Sequence, residues 1–124
     1  MIKRTINIDD YWEVIVYYNV DYNLFHIISK DLAQIGCNKR HIRSIYNNMS
    51  RGRAKAVTVS SIYNHVSVVA FNKHIDKYDY LNSIVHEAEH VKQSMLDVYN
   101  VKDEGEEPAY TIGYIAMKMM EIFI

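Results

Sequence analysis

Two histidines four residues apart, His86 and His90, with Glu87 between them, constrain this chain more than any other feature. They lie within Leu81-Asn82-Ser83-Ile84-Val85-His86-Glu87-Ala88-Glu89-His90-Val91, which reads as a helix. Positions i and i+4 stand one above the other on a helix face. Both imidazoles can therefore grip one Zn²⁺, with Glu87 beside the open coordination position as a general base. At about 100° per residue, Leu81, Ile84, Val85, Ala88, Val91 and Met95 gather on one side. Asp79, Asn82, Ser83, His86, Glu87, His90, Gln93 and Asp97 gather on the other. The histidines and Glu87 are thus expected to face a polar cleft or solvent, away from the core. At this chain's residue frequencies roughly 0.02 such matches arise by chance, so a metal site is expected over a coincidental polar face.

A chain of 124 residues makes one domain, 1–124, able to bury a core without staples. Apolar residues make up 49% and charged residues 23%, both ordinary for a globular protein. One proline and four glycines leave little room for linkers. No apolar run approaches the roughly 18 residues of a membrane span, and the basic start lacks the apolar stretch of a signal peptide. Cys37 is alone and is read as a small buried hydrophobe. A cytoplasmic setting, away from membranes, is expected.

The net charge of −1 hides an asymmetry. Residues 1–31 sum to −2 and residues 76–124 to −6, while residues 32–75 contain no acid. That middle stretch carries Lys39, Arg40, Arg43, Arg51, Arg53, Lys55 and Lys73. Such a block can meet nucleic acid or an acidic partner. No nucleic-acid motif accompanies it. Pairing with the acidic half of the same fold, or simple solvation, is the expectation here.

Residues 2–8 alternate weakly, and Tyr11-Trp12-Glu13-Val14-Ile15-Val16-Tyr17-Tyr18 is a β-branched and aromatic strand candidate. Asp21 reads as an N-cap for a helix carrying Leu24, Ile27, Ile28, Leu32 and Ile35 at helical spacing, closed by Gly36. Asn38 caps a second helix to about Met49, followed by a loop at residues 50–53. Residues 56–60 and 66–71 alternate as an antiparallel hairpin around Tyr63-Asn64-His65. The motif helix spans roughly Tyr78 to Tyr99. A turn at residues 102–105 leads to a last helix from Glu106 or Pro108 to about Ile122. This order predicts an α+β fold with a small, mostly antiparallel sheet.

A catalytic zinc site takes three protein ligands and keeps one position open. Asp97 shares the histidine face but lies about 10 Å along the helix from His90, out of reach. The turn at 102–105 lets the last helix fold back, so a carboxylate in its first turn can complete the set. Glu106, Tyr110, Gly113, Tyr114 and Met117 share one stripe, and Gly113 is expected to let the two helices approach closely. Glu107 is rotated off that stripe, so helix phase favours Glu106 as third ligand, with Glu107 the alternative.

Two stretches carry a resemblance. Val85-His86-Glu87-Ala88-Glu89-His90-Val91 and Glu106-Glu107-Pro108-Ala109-Tyr110-Thr111-Ile112-Gly113-Tyr114 resemble the paired motifs of zincin-fold metallopeptidases. The subgroup is the one with a glutamate as third ligand (gluzincin-like), and within it the small single-domain members of bacterial and phage genomes. The resemblance covers about residues 54–120 and places the family's glutamate on Glu106. It implies a zincin-like core with a sheet beside the active-site helix, a last helix carrying the third ligand, and zinc-dependent hydrolysis of a peptide or protein substrate. Glu87 would take a proton from water and pass it to the leaving amine. A developing oxyanion needs a donor, for which Tyr110 is the first candidate and Tyr114 the second. His26, His41, His65 and His74 lack motif spacing and read as structural or surface residues. Two other classes stay open: a zinc-stabilised binding or regulatory module with little catalysis, and a nucleic-acid-associated protein using residues 39–55.

Overall fold

Strand β1 (Ile2–Ile8) turns into β2 (Trp12–Tyr18) through Asp9 and Asp10, both at positive φ (51° and 59°). The Tyr11 amide donates to the Ile8 carbonyl at 3.0 Å. Two consecutive left-handed residues match the right-handed twist of the strands they join, and aspartate tolerates that conformation better than most side chains. The computed structural model describes residues 1–123. Among these, four helices and a four-stranded sheet of order β1-β2-β4-β3 make an α+β architecture.

β2 is the axis of the sheet. Trp12, Val14, Val16 and Tyr18 point to one face, and Ile15 and Tyr17 to the other. The Trp12 indole nitrogen donates to Ser67 Oγ at 2.9 Å, which satisfies its buried polar edge. β3 (Ala56–Ser61) and β4 (Val66–Phe71) form the predicted antiparallel hairpin. β2 and β4, however, run parallel, with Ile15 opposite Val68. The sheet is therefore mixed, where the sequence suggested a mostly antiparallel one. Parallel neighbours need a long crossover. Helices α1 (Phe25–Gln34) and α2 (Lys39–Ser50) supply it, followed by β3.

Helices cover both faces. α1 and α2 pack Phe25, Ile28, Leu32, Ile45 and Met49 against Tyr17, Val68 and Ala70. On the opposite face, α3 (Lys77–Tyr99) and α4 (Glu106–Met120) bury Tyr80, Ile84, Ala88, Val91, Ile115 and Met119 against β1, β2 and β4. Asp21 caps a short 3-10 turn, Tyr22–Leu24, ahead of α1 and not α1 itself, which has no side-chain cap. Asn38 Oδ1 accepts from the His41 amide at 2.8 Å, Asp76 Oδ1 accepts from the Asp79 amide at 2.9 Å, and Asn100 ends α3 in the left-handed conformation. Carbonyls in the last turn of α4 find donors on the sheet: Arg4 Nη1 reaches Lys118 O at 2.7 Å, and Tyr18 Oη reaches Met119 O at 2.8 Å. No helix is long and apolar enough to cross a membrane among the described residues.

α4 starts at Glu106, so Pro108 falls in the first turn, where a missing amide costs nothing. Its predicted stripe is turned outward. Tyr110, Gly113, Tyr114 and Met117 are exposed, and a Cβ built on Gly113 would meet nothing. Gly113 therefore plays no part in a close approach. Pro108, Ile112, Ile115, Ala116 and Met119 form the inner face instead.

Candidate metal centre

The Asp76 cap starts α3, and its turns carry His86, Glu87 and His90 past the edge of the sheet. Both histidines are exposed, His86 with 71% of its side chain open. Their Nε2 atoms converge to 3.3 Å, with the rings 4.9 Å apart and nearly perpendicular at 82°. Two nitrogens bound at 2.0–2.1 Å to one tetrahedral ion lie about 3.3 Å from each other. The separation of the two histidine nitrogens is thus one that a single metal ion could bridge.

Glu87 lies a further 100° around the helix, and its surroundings differ from the helical-wheel expectation. It is buried at 5% exposure, between α3 and β3. Thr58 Oγ1 donates to Glu87 Oε1 at 3.0 Å, while Oε2 stands 3.8 Å from His86 Nε2. One carboxylate oxygen is thus anchored on the sheet and the other faces the histidines. His86, Glu87 and His90 each offer a ligand atom within 4.8 Å of the others and form the one such His/Cys/Asp/Glu group among the described residues. Sequence reasoning missed Thr58. Its signal was the alternation of β3, which turns Ala56, Thr58 and Ser60 toward the motif helix and Val57 and Val59 toward the other layer.

The cleft at this point measures about 360 Å³ and is lined by Ala54, Lys55, Ala56, Asn82, Ser83, His86 and Glu87. Its Ser83 wall is braced from behind. His74 Nδ1 sits 2.6 Å from the Asn72 carbonyl and Nε2 sits 2.7 Å from Ser83 Oγ. A carbonyl only accepts, so Nδ1 donates to it. His74 ties the β4–α3 connection to α3. The apolar phase of α3 also shifts at its margins, for Ser83 is buried and Val85 is 45% exposed.

The α4 residues stand differently. Glu106 and Glu107 lie outside the 4.8 Å group. Glu106 is exposed and its carboxylate makes no hydrogen bond or ion pair among the described residues. Glu107 lines a separate cleft with Ile8, Asp9, Tyr11, Met95 and Tyr99. Tyr110, 73% exposed, and Tyr114 border Ile8, Asp9 and Met95, and neither lines the cleft of His86 and Glu87.

What holds the start of α4 near α3 is a charged clasp. Lys92, only 5% exposed, donates to Asp103 at 2.9 and 3.0 Å and pairs with Glu89 at 2.9 Å. Gln93 donates to Glu89 at 3.0 Å and to Asp103 at 2.5 Å. Burial alone would lower the Lys92 ammonium pKa, but its hydrogen bonds to Glu89 and Asp103 outweigh that and hold it above the ordinary value. Gln93 and Lys92 in turn hold Glu89 below the usual carboxylate range, and Lys92 does the same to Asp103. Cys37, half-buried, has its thiol pushed up by burial and stays protonated at neutral pH, as a packing residue would.

Compared with protein-family models, with curated proteins and with solved structures, the chain gives no match.

Proposed function

We propose that the chain is a small zinc-dependent metallopeptidase of gluzincin-like type, acting in the cytoplasm on a peptide or protein substrate. The observation that carries this reading is the 3.3 Å convergence of His86 and His90 Nε2 with the Glu87 carboxylate beside them. A structural zinc site is normally closed by four ligands and needs no base. Here an anchored carboxylate sits next to an open side. A zinc ion held by the histidines would supply a Lewis acid and a water acidic near neutral pH. Glu87, fixed by Thr58 through Oε1, keeps Oε2 free to accept a proton and return it to a leaving amine. β3 adds support for an extended substrate. It is an edge strand, bonded only to β4, and it borders the cleft through Ala56. A peptide can add to such an edge through main-chain hydrogen bonds.

Glu106 is proposed as the third ligand. It lies three residues past clasped Asp103, is exposed, and has no competing partner among the described residues, whereas Glu107 lines the cleft of Ile8 and Tyr99. Glu106→Gln is expected to weaken zinc affinity at least about tenfold more than Glu107→Gln, measured by competition with a fluorescent chelator. The reverse order would move the ligand to Glu107. Tyr110, with Tyr114 second, is the proposed oxyanion donor, although neither lines the cleft of His86 and Glu87.

The direct test uses protein purified without a chelating tag. One equivalent of zinc should give cleavage products from a mixed peptide library, and a chelator should abolish them. Absence of products with zinc bound would favour the binding-module alternative.

A further inference from the structure

Among the described residues, the basic middle stretch pairs with the acidic halves of the chain at a single side chain. Of its seven cations only Lys55 has a partner among the described residues, Asp79 at 2.6 Å. Lys39, Arg40, Arg43, Arg51, Arg53 and Lys73 make no ion pair or side-chain hydrogen bond among the described residues. Most of them are concentrated on and just beyond α2. Arg40, Arg43, Ser44, Asn47 and Arg51 recur at i, i+3, i+4, i+7 and i+11, a single helix face, opposite buried Ile45 and Met49. The helix contains no acid.

The local connectivity adds a second, independent observation. α1 ends at Gln34 and α2 starts at Lys39, so four residues join them. Gly36 takes φ 95° in that turn and Asn38 caps the second helix. DNA-binding helix–turn–helix units also join their two helices by a three- or four-residue turn that often contains glycine, and their second helix enters the major groove. The groove between the two helices is lined by His26, Lys30, Lys39 and Arg43 over Phe25 and Tyr46, and no acid borders it. The only acid of α1, Asp31, is engaged by the Tyr17 hydroxyl and by Lys3.

From these observations we infer that the outer face of α2 is a docking surface for double-stranded DNA. The residue types fit that partner. Arginine, lysine, serine and asparagine supply most phosphate contacts, and arginine and asparagine also read guanine and adenine edges in the major groove. A 12-residue helix is about 18 Å long and enters a B-form major groove, whereas the deep, narrow major groove of duplex RNA excludes it. The surface lies across the sheet from the histidines, since α1 and α2 pack on one face and α3 on the other. The inference rests on residues other than His86, Glu87 and His90 and stands apart from the peptidase reading.

The test is fluorescence anisotropy of the 124-residue chain with a fluorescein-labelled 20-base-pair DNA duplex, at 50, 100 and 200 mM KCl. Saturable binding is expected, with a dissociation constant of about 10⁻⁶ to 10⁻⁴ M near physiological salt. The slope of log K against log salt should be about −4, as four or five phosphate contacts require. Arg40→Ala/Arg43→Ala should weaken binding at least about tenfold at 50 mM KCl and make the slope shallower by about two. Both side chains are exposed, so the melting temperature should not change. Lys77→Ala/Lys102→Ala, which removes two exposed cations elsewhere, should bind as wild type. The inference is overturned if no saturable binding appears at 50 mM KCl, or if the α2 double variant binds like wild type. It also fails if duplex RNA or heparin binds as tightly as DNA and with the same dependence on Arg40 and Arg43, because the face is then a general polyanion surface.

Discussion

Glu87→Gln should retain zinc and fold yet lose peptide hydrolysis by at least about 10²-fold, the usual contribution of a general base. The geometry makes this a clean substitution. Glutamine has the same shape, and its carbonyl oxygen can still accept from Thr58 Oγ1, so the side chain stays where the carboxylate was. Removing the negative charge from a group only 5% exposed should not unfold the protein, since a buried amide with a hydrogen bond costs no more than a buried carboxylate. What disappears is the capacity of the second oxygen, 3.8 Å from His86 Nε2, to hold a proton. Steady-state hydrolysis of a cleaved library peptide, with zinc content measured on the same sample, reads both quantities. If wild type and Glu87→Gln show the same negligible turnover with zinc bound, the peptidase reading fails.

The metal itself gives the second large effect. Elemental analysis should find about one zinc per chain, and His86→Ala or His90→Ala should remove it. Binding to the native state at free zinc a hundred times the dissociation constant stabilises by about 2.7 kcal/mol. For a domain of this size that raises the melting temperature by roughly 10 °C. Both histidines are exposed and pack against each other rather than the core, so the alanine variants should melt near the metal-free wild type. Zinc-loaded wild type should therefore stand well above three samples that coincide: chelated wild type and the two variants. A melting curve indifferent to zinc, with no zinc found, would remove the metal centre altogether.

The motif helix, its histidine spacing, the caps at Asn38 and the β3–β4 hairpin were legible because each is a local property of consecutive residues. The chain could not announce which neighbour fills each flank of a helix. Helix phase grouped Glu87 with the histidines, but burial of Glu87 depends on β3, which arrives from residues far away in sequence and brings Thr58. The same limit explains Gly113. A small residue permits close approach, but only the tertiary arrangement decides whether a neighbour is there, and here that side of α4 meets none. In sequence the α1–α2 unit shows only as two separate helices with their own end signals. The short turn with Gly36 gained meaning once α2 was seen to hold its cations in the open. The parallel β2–β4 pairing was hidden for a related reason, since strand direction is set by the crossover and not by the composition of either strand.

That parallel seam bears on how the molecule comes into being. Trp12 and Ser67, bonded across it, are 55 residues apart, and Arg4 reaches Lys118 across 114. Chain entropy must be given up before such contacts return anything. Sheet assembly, and not helix formation, should therefore set the folding rate. A fragment limited to residues 54–120 would carry both motif stretches. It would lack Ile6, Trp12, Val14 and Val16, the side chains against which Phe71, Ile84 and Ala88 are packed. The N-terminal strands lie outside the proposed site, yet the segment that carries His86, Glu87 and His90 packs on them and is expected not to fold without them.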